Sequence, residues 1–136
     1  MKILGIILSL VLAFNIQTEE SGDLKVRLKN YPTGEGTMMI GVFDDNGFLN
    51  KPVKGKSVKV EGKENLTVTF ENLPYGEYAV SALHDKNGNQ QMDFDQRGMP
   101  LEDWAMSGTN PQDQRPQWKL AKFSFNKDGQ EVDISF

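Results

Sequence analysis

The 136-residue sequence has no cysteine and only one histidine, His84. The absence of cysteine excludes a disulfide framework, so the folded domain has to be held together by its hydrophobic core alone. A single histidine without cysteine also excludes the usual structural zinc sites, which take their four ligands mainly from Cys and His. Basic residues are in the minority as well. The net charge of −4 argues against nucleic acid as a partner.

Long apolar runs are missing except at the start of the chain, where an almost uninterrupted apolar segment from Ile3 to Ile16 follows Lys2. This pattern is typical of a signal peptide. The 14-residue run is shorter than the roughly 20 residues that a membrane-spanning helix needs, and no cationic stop signal follows it. We therefore predict a signal peptide over residues 1–18 and a folded domain over residues 19–136. The protein is expected to be exported, periplasmic or secreted, with no membrane span after cleavage.

A helical period is also missing, and the dominant period from Gly22 onward is two. Short segments with strand character are "DLKVRLKN", "TMMIGVFD", "SVKVEG", "LTVTFENL", "GEYAVSALHD", "AKFSFN" and "EVDISF". Turn signals separate them, and we interpret residues 62–65 and the "NKDG" turn as hairpin connections. About seven short strands in this rhythm predict an all-β fold, a single antiparallel β-sandwich. Residues 85–118 form the exception, a long acidic loop.

The loop begins with "HDKNGNQQMD", in which oxygen-bearing side chains recur at regular spacing. Asp85, Asn87, Asn89 and Asp93 occupy relative positions 1, 3, 5 and 9, the spacing that gathers oxygen ligands around a calcium ion when a loop coils tightly. The pattern departs from a calcium loop at position 6, where Gln90 replaces the glycine of the sharp turn, and it has no Glu at position 12. The alternative is a metal-free turn in which the Asn side chains cap their own backbone.

His84 is the only side chain suited to act as a base near neutral pH. Because it continues the parity of Tyr78, Val80 and Ala82, we expect it at the edge of the core, hydrogen-bonded to a carboxylate such as Asp93. A small envelope hydrolase using His84 with a loop acid is the enzymatic alternative. No serine stands in a G-x-S-x-G elbow, so a non-enzymatic protein is favoured.

Trp104 and Trp118 in the same loop suggest a third possibility, a carbohydrate-binding accessory domain that stacks sugars on aromatic rings. The more common fate of such residues is to cover one end of the sandwich as part of the core.

The run "FENLPYGEYAVSALHDKNGNQQMDFDQRGMPLEDWAMS", followed by "WKLAKFSF", resembles the DUF2141 family of exported bacterial proteins. The resemblance implies a β-sandwich of transthyretin-like or immunoglobulin-like character in the cell envelope or outside the cell. The family pattern adds Glu102 and Ser107 to His84 and the candidate calcium residues. The family has no known activity. The resulting hypothesis is an exported, non-enzymatic module that binds a protein or glycan partner in the envelope or has a structural role, with calcium as its candidate cofactor.

Overall fold

The computed structural model describes residues 16, 18–62, 65–111 and 113–136. Nearly all of the predicted signal peptide therefore lies outside the described residues. No helix in the described part of the chain is long and apolar enough to cross a membrane.

In the described residues, eight strands form two sheets that pack face to face. The strands are β1 (Ser21–Lys29), β2 (Thr37–Phe43), β3 (Lys54–Lys59), β4 (Asn65–Pro74), β5 (Gly76–Asp85), β6 (Trp104–Met106), β7 (Phe123–Phe125) and β8 (Gln130–Ser135), with one helical turn, α1 (Trp118–Ala121). The order is β4-β1-β8 in the three-stranded sheet and β3-β2-β5-β6 in the five-stranded sheet, where β7 also pairs with β5. The predicted all-β sandwich is confirmed, with eight strands where about seven were expected.

Alternation along each strand builds the core between the sheets. In β1, Leu24, Val26 and Leu28 are fully buried, whereas Lys25 and Arg27 point to solvent. Inward-facing residues of the second sheet, such as Val80 in β5, meet them. Burial of each large apolar side chain contributes roughly 1.5–3 kcal/mol, so in a chain without disulfides this layer provides the main stabilisation.

Strand pairing differs from the sequence prediction at both expected hairpins, and both predictions were wrong. β3 pairs with β2 while β4 pairs with β1, so residues 62–65 connect two different sheets. Likewise β7 pairs with β5, whereas β8 pairs with β1 in parallel. The sandwich is thus not purely antiparallel. Turn residues set where a chain reverses, but they do not determine whether the next strand stays in the same sheet.

The long segment after β5 returns to the five-stranded sheet and forms a broken edge. β6 pairs with Ser81–Leu83 and β7 with Gly76–Tyr78, so two short strands share one side of β5. Ser107 lies between them and is 1% exposed. Its hydroxyl accepts a hydrogen bond from the Val80 N–H (2.9 Å) and donates one to the Ala121 carbonyl (2.7 Å). Ser107 therefore joins β5, the end of β6 and α1.

Candidate functional site

The predicted calcium loop is organised first by Asp85, which is 2% exposed at the end of β5. Its two carboxylate oxygens accept hydrogen bonds from the backbone N–H groups of Gly88 and Gln90, both at 2.9 Å. A buried carboxylate that accepts two backbone N–H groups is well satisfied. Asp85 therefore fixes the tight turn that follows the strand.

The remaining predicted ligands lie together around Asp93. The side-chain Nδ2 of Asn87 donates to Asp93 Oδ2 (2.5 Å), and that of Asn89 donates to both Asp93 oxygens (2.8 and 2.9 Å). The amide oxygens of Asn87 and Asn89 accept the backbone N–H groups of Asn89 and Gln91. The loop thus satisfies its own polar groups, and calcium binding stays a prediction. No group of three Asp, Glu or His side chains is placed to hold a metal among the described residues.

Gln90, which replaces the expected glycine, adopts the backbone conformation that glycine supplies in calcium loops. Its φ is 62°, in the left-handed region. For a residue with a side chain this conformation costs roughly 1–3 kcal/mol and persists only where neighbouring contacts hold it. The hydrogen bond from the Gln90 N–H to Asp85 is such a contact. The substitution therefore leaves the loop geometry in place.

His84 is buried on the inner side of β5, with 1% of its surface exposed. Its Nε2 donates to the main-chain carbonyl of Glu35 (3.1 Å), not to Asp93 as expected, because Asp93 is engaged by the two asparagines. Gly36 permits this close approach: a Cβ there would lie 2.6 Å from the Asp85 carbonyl oxygen and 3.1 Å from His84 Nε2. A substrate therefore has no direct access to the imidazole.

Glu102 lies at the base of the same loop and is 7% exposed. Its Oε1 accepts the Lys86 N–H at 3.1 Å, and its Oε2 has no hydrogen-bond partner among the described residues. The neighbouring Asp103 forms an ion pair with Lys86 (2.7 Å), and its carbonyl accepts the His84 N–H. Residues 102–103 therefore clamp the loop to the end of β5. His84, Asp85, Glu102 and Ser107 are the buried polar side chains of the described chain.

The next part of the loop folds around Asp95 and projects two apolar side chains. The Asp95 carboxylate accepts the backbone N–H groups of Arg97 (2.8 Å) and Met99 (2.9 Å). Hydrogen bonds from Met99 and Arg97 lower the pKa of Asp95, because they favour its charged form. Phe94 and Met99 stand on this turn and remain 58% and 49% exposed. Both side chains also line the adjacent outer surface of the five-stranded sheet.

These side chains border a large depression on the outer face of the five-stranded sheet, which we call the groove. Its volume is about 1090 Å³, slightly above the 300–1,000 Å³ usual for small-molecule sites. The side chains and backbone that line it come from β2, β3, β5, β6 and the loops 48–52, 90–100 and 113–116.

The groove surface is set by two cross-strand rows. Strand register places Ser57, Met39, Leu83 and Trp104 side by side in one row. The next row contains Gly55, Gly41, Ser81 and Met106. Small residues occupy three of the four positions in the second row, so the sheet surface is low beside the large side chains of the first. The depression thus follows directly from residue size and register.

The profile of the DUF2141 family, described as an uncharacterized protein conserved in bacteria, matches residues 26–133. The chain belongs to the DUF2141 family. No curated protein and no solved structure matches it. The match to DUF2141 includes the whole loop from Asp85 to Ser107 and every residue that lines the groove. Membership in DUF2141 thus confirms the resemblance seen in the sequence and assigns no activity.

The groove is the part of the site that sequence reasoning missed. Met39 and Leu83 belong to strand segments whose apolar residues fall on both faces, and these two side chains face outward into the groove. Trp104 lines the groove, but Trp118 packs edge-on against Phe48 with ring centroids 5.6 Å apart. The signal available in the sequence was methionine, since four of the six, namely Met39, Met92, Met99 and Met106, line the groove.

Proposed function

We propose that this DUF2141 protein is an exported, non-enzymatic binding module of the bacterial cell envelope and that the groove is its ligand site. The observation that carries the proposal is the apolar row of Met39, Leu83 and Trp104, which lies on an outer sheet face outside the core between the sheets. Apolar surface of this extent bordered by polar residues is typical of a binding site.

Two further features support binding rather than catalysis. His84 is buried and its Nε2 is engaged by the Glu35 carbonyl, so the one candidate base lies away from the groove lining. Ser107, the buried serine of the family pattern, uses its hydroxyl to join strand edges. The apolar run after Lys2 supports export.

Calcium is part of the proposal as a ligand of the loop from Asp85 to Asp93. The donor set consists of carboxylate and amide oxygens, which suit a hard cation, and the left-handed Gln90 provides the turn that such loops need. Bound calcium would replace the hydrogen bonds that now join the asparagines to Asp93. Its role would be to rigidify the loop that carries Phe94 and Met99 beside the groove.

The groove is tested by filling it. Gly55 has an ordinary φ, and a Cβ there would meet only the Ile40 carbonyl at 3.7 Å, so Gly55→Leu fits the backbone and places a large side chain in the low row. Thr67→Leu on the outer face of β4 is the matched control. We expect the wild-type domain and Thr67→Leu to bind an environment-sensitive apolar dye saturably, and Gly55→Leu to lose that binding. Equal dye binding by Gly55→Leu would reject the groove as the site.

A further inference from the structure

This inference rests on the proposed function, in which the groove is the ligand site. The side chains that line the groove indicate which class of ligand it binds. Met39, Met92, Met99 and Met106 all contribute to it. Methionine is unbranched, flexible and polarisable, so a surface rich in it adapts to apolar groups of varying shape. Such a lining suits a flexible alkyl chain better than a rigid planar molecule.

A charged side chain at one part of the groove places a second requirement on the ligand, besides a flexible apolar body. The chain has three arginines, and two of them are engaged: Arg27 with Asp133 and Glu131, and Arg97 with Asp95. Arg115 lines the groove and has no hydrogen bond or ion pair with any residue that the structure describes. A free guanidinium offers two parallel N–H donors, the geometry that binds a carboxylate.

Two other charged side chains, Lys56 and Asp113, line the groove. The Lys56 ammonium is directed away, since it donates to the Thr69 carbonyl and lies 5.6 Å from the Phe70 ring centroid. Asp113 also lines the groove and opposes an anion, so a bound carboxylate has to lie on the Arg115 side of it. Neutral amide side chains of Asn50, Gln91 and Gln114 provide further donors.

We infer that the groove binds an amphipathic monocarboxylate, a free fatty acid whose alkyl chain lies over the row of Met39, Leu83 and Trp104 and whose carboxylate pairs with Arg115. The wide, partly open groove and its single unpaired arginine together specify a long apolar body with one anionic end. Asp113 discriminates against a second negative charge in the ligand.

The test compares ligands of equal chain length on the full mature domain. Decanoate, decanol and decyltrimethylammonium, kept below their micelle concentrations, compete with the apolar dye on wild type, Arg115→Gln and Asp113→Asn. We expect decanoate to bind at least about tenfold more tightly than decanol, the effect of one charge-assisted hydrogen-bonded pair. Arg115→Gln should remove that difference and leave decanol binding unchanged, whereas Asp113→Asn should tighten decanoate binding alone.

The outcomes separate the ligand class from the proposed function. Equal binding of decanoate and decanol by wild type, or tighter binding of the cation, overturns the fatty-acid inference while the groove remains a binding site. If no alkyl ligand competes, and either a glycan panel quenches Trp104 or the wild-type domain forms a dimer that Gly55→Leu abolishes, the occupant is a sugar or a second copy and the inference fails. Absence of any binding, including that of the dye, rejects the proposed function itself.

Discussion

The two sheets of the sandwich present opposite chemistry to solvent. On the three-stranded sheet, Arg27 and Lys29 of β1 form ion pairs with Asp133 of β8 at 2.7 and 2.6 Å. On the five-stranded sheet, the corresponding outward positions hold Met39, Leu83 and Trp104. The inner faces of both sheets are buried in the core between them, and the apolar row of the five-stranded sheet lies outside that core. This difference supports the proposal that the five-stranded sheet carries the ligand site.

The long segment after β5 accounts for much of this contrast. It covers part of the five-stranded sheet with β6, α1 and the turn that carries Phe94 and Met99, and it leaves the groove between its loops and the sheet. Loops positioned by a rigid sheet are the usual location of binding sites.

The largest expected effect comes from breaking the edge that supports the groove. Ser107→Ala leaves the Val80 N–H without its acceptor and removes the donor to the Ala121 carbonyl, both in a buried position. We expect a loss of about 1–3 kcal/mol in the free energy of unfolding, the cost of buried groups left unpaired. Denaturant unfolding measures it.

The matched control is a serine on the other sheet. Ser135 of β8 is exposed, and its hydroxyl accepts the Asn30 side-chain N–H (3.0 Å) and donates to the Phe136 carbonyl (3.4 Å), both at the surface. Ser135→Ala should change the free energy of unfolding by no more than about 0.5 kcal/mol. If the two serine variants were equally stable, Ser107 would not hold the broken edge together.

Calcium is expected to stabilise the domain through the loop beside the groove and not through the three-stranded sheet. At a concentration tenfold above its dissociation constant, it should stabilise the folded domain by about 1.4 kcal/mol, because it binds the native loop and not the unfolded chain. Calorimetric melting with calcium and with chelator gives the shift. Asp93→Asn should abolish it, whereas Asp133→Asn on the other sheet should retain it. An unchanged melting temperature of the wild-type domain would remove calcium from the account.

The smallest change in the free energy of unfolding is expected on the outer face of the three-stranded sheet, where Asp133 forms its ion pairs. Hydrogen bonds from Arg27 and Lys29 lower the pKa of Asp133 relative to its ordinary value. A lowered folded-state pKa means that the carboxylate stabilises the fold above the unfolded value near pH 3.9, and that this contribution is lost as pH falls through the folded value.

Because Arg27 and Asp133 are both more than one-third exposed, solvent screens the pair, and Asp133→Asn should cost less than about 1 kcal/mol at pH 7. Chemical unfolding at pH 7 and at pH 2 should show the gap between wild type and variant close at the lower pH. A stability difference of the same size at both pH values would contradict the lowered pKa of Asp133.

Fold class was predictable because it depends on local alternation. The period of two in "DLKVRLKN" puts Leu24, Val26 and Leu28 on one face of a strand, and the structure buries all three. Strand partners were not predictable in the same way, because alternation determines which face is buried and not which strand lies beside it. The parallel pairing of β1 with β8 joins residues about a hundred positions apart and leaves no local signal.

The candidate site likewise has one part that the sequence predicted and one part that it did not. Asp85, Asn87, Asn89 and Asp93 fall within nine residues, so their association follows from one turn and could be proposed from spacing. The groove row of Ser57, Met39, Leu83 and Trp104 draws one residue from each of four strands. Only strand order and register bring these residues together, and Arg115 lines the same groove from a loop.

The most direct test of the groove uses two adjacent methionines that face opposite sides of the same strand. Met39 lines the groove, whereas Met38 is fully buried in the core. Titrating decanoate into the domain with 13C-labelled methionine methyl groups should shift the NMR signals of Met39, Met92, Met99 and Met106 and leave that of Met38 nearly unchanged. Signals of the four groove methionines that stay in place at saturating ligand, or shifts no larger than that of Met38, would contradict the account.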